Sequence, residues 1–153
     1  MTDLDSDRKI KILFVCHGNI CRSPMAEYIF RHLARQAGME ERFEVASAAV
    51  SSEEIGNDIY PPAKQTLREH GIPFDRHYAR RITRADFDCF DHIICADNSN
   101  IRWLPEVTPQ VSLLMQWTGE NRDVSDPWYT RDFDAAYRDI LAACKAILKL
   151  YTL

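Results

Sequence analysis

Along the chain, short unbroken apolar runs alternate with longer stretches of helical period. Ile10 to Val15 is rich in β-branched and aromatic side chains and lacks clean alternation, which predicts a strand buried on both faces. A loop follows, with Ser23 as the expected N-cap and Pro24 at the first helical position. From there Met25, Ala26, Ile29, Phe30, Leu33 and Ala34 share one helical face, and Gly38 supplies the stop. Phe43 to Ala49 predicts a second strand. Pro62 opens a helix through Leu67 that ends at Gly71. Thr83 to Asp86 has the look of a capped turn before a third strand within Asp91 to Ala96. Asn98 to Leu104 predicts a short helix stopped by Pro105, and Val111 to Met115 a fourth strand. After a long polar loop, Phe133, Ala136, Tyr137, Ile140, Leu141, Cys144, Ile147 and Leu148 recur at the spacing of an amphipathic helix.

This alternation points to the α/β class: four parallel strands with helices on both faces in a three-layer sandwich. Ligands of such sheets bind at the carboxyl ends of the strands, near the switch in strand order. Residues 1–153 read as one domain, with 1–8 as a flexible extension, because no repeat, low-complexity tract or Gly/Ser linker marks a boundary. Charged residues make up 27% and hydrophobic ones 46%, which excludes a disordered or coiled-coil chain. A net charge of −4 argues against a nucleic-acid partner. The longest apolar run is five residues, so no membrane partner is expected, and the acidic N-terminus lacks the layout of a signal peptide. A soluble, cytoplasmic monomer is the expectation. Five cysteines without a secretory signal read as free thiols rather than a disulfide framework.

The chemistry concentrates after the first strand, in Cys16-His17-Gly18-Asn19-Ile20-Cys21-Arg22-Ser23-Pro24. A Cys and an Arg six apart arise by chance about 0.5 times in a chain of this composition. Requiring a Gly two after the Cys and a Ser or Thr after the Arg lowers that to roughly 0.0015. A strand-to-helix loop presents successive backbone N–H groups and the positive end of a helix to one point, where an anion binds. Gly18 leaves room for the tight curve, and Asn19 tolerates a left-handed backbone. Arg22 adds a planar fork for two oxygens of a tetrahedral oxyanion. Cys16 at the mouth of the same positive field favours the thiolate, and a thiolate under a bound phosphate is a nucleophile. Burial as a small core residue is the ordinary fate of a strand-end cysteine, but it leaves the rest of the string unexplained. Zinc on Cys16, His17 and Cys21 lacks a fourth ligand at metal-like spacing, so neither a metal nor another cofactor is expected. A nucleotide P-loop needs a Gly-Lys-Ser/Thr that is absent.

Cleavage through a thiolate also needs an acid for the leaving oxygen and a base for the water that follows. Asp126 is singled out because Pro127 restricts it to extended backbone and Trp128 and Tyr129 add aromatics beside it.

Val15 to Pro24, followed by Met25-Ala26-Glu27, resembles the signature of the low-molecular-weight protein tyrosine phosphatases. The similarity continues through Ser47-Ala48-Ala49, Glu54-Ile55-Gly56-Asn57, His70-Gly71-Ile72-Pro73, Ala79-Arg80, Ile82-Thr83, Asp86-Phe87 and Asp126-Pro127. It implies a four-stranded sheet of order 2-1-3-4 and an enzyme that hydrolyses phosphotyrosine monoesters through a phosphocysteine. Cys16 would be its nucleophile, Arg22 its phosphate fork and Asp126 its general acid and base. Substrate contact falls to His17, Gly18, Asn19, Ile20, Cys21 and Ser23, with Trp128 and Tyr129 walling the slot for a phenyl ring. Ser23 is expected to donate to the Cys16 sulfur. Asn19, Ser47 and His77 match a network that stiffens the loop, and Cys21 a reversible disulfide partner of Cys16. The implied partner is a tyrosine-phosphorylated protein or peptide. Ile20, where phosphoarginine-directed relatives carry Thr, favours phosphotyrosine. His17 and Glu53 depart from the aliphatic and aromatic residues frequent at their positions. Arg76, Arg80, Arg81 and Arg84 read most simply as a solvated basic face.

Two other functions fit parts of the pattern. A thiol-dependent arsenate reductase would use a similar anion loop with Cys89 and Cys95 as its redox pair. A non-catalytic phosphotyrosine-binding module would need neither Cys16 nor Asp126.

Overall fold

The computed structural model describes residues 8–152. The expected flexible extension falls on residues outside that range except for Arg8, which pairs with Asp91. Four strands, β1 (Ile10–Cys16), β2 (Phe43–Ala49), β3 (His92–Cys95) and β4 (Val111–Leu113), form one sheet of order β2-β1-β3-β4. All three pairings are parallel, with Cys16 opposite Ala49 and Val15 opposite Cys95.

Alternation along β1 sends its side chains to two separate cores, as the period of two requires. Ile12 and Phe14 join a cluster with Ile29 and Phe30 of α1 (Arg22–Gln36), Leu67 of α2 (Pro61–Glu69), and Ile140 and Ile147 of a helix near the C-terminus. Leu13 and Val15 pack on the other face with Ile82, Phe87 of α3 (Asp86–Cys89), and Ile101 of α4 (Asn98–Arg102). β1 is therefore covered on both sides, which is why its sequence is apolar without alternation. Truncating Phe14 to Ala in this interior costs about 3–5 kcal/mol.

Several boundaries differ from the sequence reading. The first helix begins at Arg22 with Cys21 at its N-cap and no side chain capping it, so Ser23 and Pro24 lie inside its first turn. Ser23 does not cap because its hydroxyl is taken up by the loop behind it. Helix α2 starts at Pro61, one residue before Pro62, and Gly71 follows it in the left-handed region at φ 70°. The fourth strand stops at Leu113, where the chain tightens into a 3₁₀ segment, Leu114–Thr118. The polar loop holds a single helical turn, α5 (Pro127–Thr130), before α6 (Phe133–Leu150) closes the sheet face. Among the described residues no helix is long and apolar enough to cross a membrane.

Candidate active site

Cys16 is the last residue of β1, so the sheet itself delivers its sulfur to the carboxyl edge beside the crossover between β1 and β3. The loop that follows curves back on itself at Asn19, whose φ of 61° is the left-handed turn expected of an Asn. Gly18 gives the room its sequence position suggests, against a neighbouring side chain. Its φ is not positive; a Cβ there would lie 3.3 Å from the Cγ of Glu54, so it is close packing that favours glycine. Among the described residues, the backbone N–H groups of Gly18, Asn19, Ile20 and Cys21 find no protein acceptor. Together with the start of α1 they form a cradle of donors for an anion.

A chain of hydrogen bonds fixes the loop, and its directions can be read from its end. Glu27, a carboxylate held by Arg31 at 2.7 Å, accepts from Ser47 Oγ at 2.6 Å. Ser47 Oγ must then accept from Asn19 Nδ2 (3.0 Å). The other proton of the same amide goes to Ser23 Oγ (2.8 Å), which leaves the Ser23 hydroxyl proton for Cys16 Sγ, 3.0 Å away, with the Ala48 carbonyl at 3.5 Å the more distant acceptor. Asn19 Oδ1 accepts from the Arg80 amide at 3.1 Å. The Asn19 carbonyl accepts from His77 Nε2 at 2.7 Å, which assigns the ring proton to that nitrogen. His77 is seated in turn by its own N–H on Asp58 at 2.9 Å. Burial raises the Asp58 carboxyl, but bonds from Lys64, the His77 and Ile59 amides and Arg76 outweigh it and hold it well below the usual carboxylate range. Asn19, Ser47 and His77 thus stand together behind the loop. The side chains of Asn19 and Ser23, expected to meet substrate, face this network rather than the cleft.

Arg22 is almost wholly buried, with its guanidinium stretched between three acceptors. Nη1 donates to Asp97 Oδ2 and to the Val124 carbonyl, both at 2.8 Å, and Nη2 lies 3.4 Å from Asp126 Oδ2. Burial alone would lower its pKa, yet the negative groups Cys16, Asp126 and Asp97 raise it, so it stays charged. Asp97 was not singled out from the sequence, although Asp97-x-x-Asn100 after a strand carries a capping signal. Its Oδ1 caps α4 through the Asn100 amide at 2.8 Å while Oδ2 steers Arg22.

Asp126 has the extended backbone that Pro127 imposes, φ −83° and ψ 110°, and caps α5 through the Trp128 amide at 3.0 Å. One cleft is lined by Cys16, His17, Ile20, Arg22, Asp126 and Trp128, together with Gly18, Cys21, Glu53, Glu54 and Tyr129. At its rim His17 Nε2 meets Glu53 Oε2 at 3.2 Å, with the Trp103 ring and the imidazole nearly perpendicular, centroids 6.1 Å apart. Cys21 is buried and free, its thiol pushed up by burial and then by the charges of Cys16 and Asp126.

The other sequence expectations fare unevenly. Cys95 is fully buried in β3, its thiol raised to about 12 by burial, then by Asp97 and Cys16. Cys89 is exposed at the end of α3, before β3 begins and so toward the opposite edge of the sheet from Cys16. The two do not form a redox pair beside the anion loop. Of the basic run, Arg76, Arg81 and Arg84 are exposed as a solvated face requires, but the run is also partnered: Arg76 pairs with Asp58, half-buried Arg80 grips Asp86 with both nitrogens at 3.0 Å, and Arg81 reaches Ser52. Among the described residues, no group of three or more His, Cys, Asp or Glu is placed to hold a metal ion.

A family model described as low molecular weight phosphotyrosine protein phosphatase matches residues 11–152. The Homo sapiens protein named low molecular weight phosphotyrosine protein phosphatase is 40% identical over 148 residues, covering 90% of this chain and 93% of that protein. The Bacillus subtilis low molecular weight protein-tyrosine-phosphatase YfkJ is 39% identical over 146 residues, 91% of this chain and 94% of its own. The YfkJ crystal structure superposes with a TM-score of 0.89 at 38% identity, covering 93% and 94% of the two chains. The crystal structure of a drosophila arginine phosphatase superposes with a TM-score of 0.84 at 34% identity, covering 94% of this chain and 99% of that one. With its sheet order, anion loop and these matches agreeing over nearly its whole length, the chain is a phosphatase and belongs to the low molecular weight phosphotyrosine protein phosphatase family.

Proposed function

We propose that this phosphatase hydrolyses phosphotyrosine monoesters on proteins or peptides through a phosphocysteine. The observation that carries the reading is the convergence of Cys16, the Arg22 fork and the Asp126 carboxyl on one cleft walled by Trp128 and Tyr129. The loop amides and Arg22 hold the three non-bridging oxygens of the phosphate, and the Cys16 sulfur attacks phosphorus in line with the aryl oxygen. An S–P bond forms as the P–O bond breaks, and Asp126 gives its proton to the leaving phenolate. The Asp126 carboxylate then takes a proton from water, whose oxygen attacks phosphorus. The S–P bond breaks, its electron pair returns to sulfur, and inorganic phosphate leaves. Ser23, with its proton aimed at Sγ, stabilises that departing thiolate. Tyrosine fits better than the shorter serine because the aromatic walls stand above the phosphate cradle. Ile20 supports tyrosine over arginine, since it puts an apolar side chain into the cleft. Free thiols at Cys16 and Cys21 suit a reducing cytoplasm, the compartment we propose for the chain.

Side-by-side turnover of phosphotyrosine, phosphoserine and phosphoarginine peptides tests the assignment. Metal-independent hydrolysis of the first alone, abolished in Cys16→Ser, is the expected result. Faster turnover of phosphoarginine, or full activity of Cys16→Ser, overturns it.

A further inference from the structure

The turn that carries Asp126 cannot hold its own place. Helix α5 has four residues, and a single turn gains none of the cooperativity that stabilises longer helices. Its end is strained as well, since Arg131 sits in the left-handed region at φ 61° with a side chain that pays the Cβ penalty there. Beyond the Arg22 contact to Asp126 itself and the buried Pro127, the turn is braced by Tyr60, a residue outside the cleft at the N-cap of α2. Its ring packs against Trp128 with centroids 4.8 Å apart and against Phe133 at 6.1 Å. Its hydroxyl accepts from Arg131 Nη1 at 2.9 Å, and the Arg131 guanidinium lies 5.7 Å from the Trp128 ring centre. On its other side the Tyr60 backbone N–H donates to the carbonyl of Ile20 at 2.9 Å, within the loop that follows Cys16.

We infer that Tyr60 is a positioning residue for proton transfer: it ties the anion loop to the α5 turn, and so sets the Asp126 carboxyl at working distance from a phosphate seated over Cys16. One residue bonded to both segments fixes their separation. Without the ring and hydroxyl, Trp128 and Arg131 lose their shared support, and the carboxyl capped on the Trp128 amide moves with them. The inference rests on Asp126 being the general acid.

The test is kcat/KM across aryl phosphates from 2,4-dinitrophenyl phosphate, whose leaving group needs no proton, to phenyl phosphate, whose leaving group does. Tyr60→Leu, which retains the backbone bond to Ile20, should lower the value for phenyl phosphate about tenfold, a part of the roughly 10²–10⁴ a general acid supplies. For the dinitrophenyl ester the change should stay within about twofold. Tyr60→Phe keeps the ring and loses only the bond from Arg131, so it should lose about threefold on phenyl phosphate. That milder variant decides the matter if the leucine variant does not fold. An equal loss on both esters, or no loss on either, overturns the inference. Asp126→Asn run on the same series separates the two claims. A steep loss there with flat Tyr60 variants sinks the positioning role alone, whereas a flat Asp126→Asn series sinks the acid assignment and the positioning role with it.

Discussion

The Oγ of Ser23 lies 3.0 Å from the Sγ of Cys16, and the Ser23 backbone N–H points at the same sulfur from 3.4 Å. The hydroxyl is aimed there because Asn19 fills its acceptor side. A hydrogen bond to a charged group contributes about 1.5–3 kcal/mol, so Ser23→Ala should slow phosphocysteine breakdown by roughly 10–10²-fold. Rapid-quench experiments should show the phosphoenzyme accumulating in the variant. A loss confined to substrate binding would argue against a role at the sulfur.

Asp97 holds one arm of Arg22 and caps α4 with its other oxygen. Asp97→Ala should lower kcat/KM about tenfold as the fork loses its orientation, and destabilise the fold by about 1 kcal/mol through the lost cap. Asp97→Asn keeps a single acceptor oxygen, so it should recover the cap and its stability while kcat/KM stays low, because its amide nitrogen cannot accept from Nη1. Steady-state kinetics and thermal melting read the two effects separately.

Asn19 combines a left-handed backbone with the centre of the loop network. Asn19→Gly should melt higher than Asn19→Ala, by about 1–2 kcal/mol, because glycine carries no Cβ penalty at that φ. Both variants should lose activity, since neither can direct the Ser23 proton toward Cys16. Equal melting of the two would mean that backbone strain at Asn19 contributes nothing.

Asp86 is buried, which raises its pKa, but bonds from Arg80 and from the Thr83 amide and hydroxyl win and lower it. A carboxyl with a depressed folded pKa stabilises the fold above its unfolded value of about 3.9, and that stability is lost as pH falls through the folded value. Asp86→Asn should therefore be destabilised by about 1.5–3 kcal/mol at pH 7. The gap to the parent chain should close under strongly acidic conditions, as denaturant melts across pH can establish.

Cys21 lines the same cleft as Cys16, and its raised pKa keeps it a thiol at neutral pH. Peroxide should oxidise Cys16 to a sulfenic acid, which Cys21 then captures as a disulfide with loss of water. Dithiothreitol should restore activity to the parent chain. Cys21→Ser should instead inactivate irreversibly under the same exposure, which loss of activity and mass spectrometry together would report.

Much of the site was legible because it is local. Cys16 to Pro24 is one continuous string, and the end of a strand, a turn residue, a fork and a helix start can each be recognised from neighbours a few positions apart. The strand order followed from the family likeness, and the buried character of β1 from its unbroken apolar run. Even here the helix start was misplaced: Ser23 caps helices well in general, but this hydroxyl is already committed to Cys16 and Asn19.

What only the tertiary structure decided are the relations between distant segments. Asp97 meets Arg22 across 75 positions, and Arg131 meets Tyr60 across 71. No periodicity or spacing encodes such pairs, because they depend on which strands lie side by side and how far each loop rises above them. The sequence determined by itself where the chain could hold an anion and attack it. The fold decided which carboxylates orient the fork, which hydroxyl faces the sulfur and what packs against the turn that carries Asp126, because those are matters of distances set by the packing of the whole sheet.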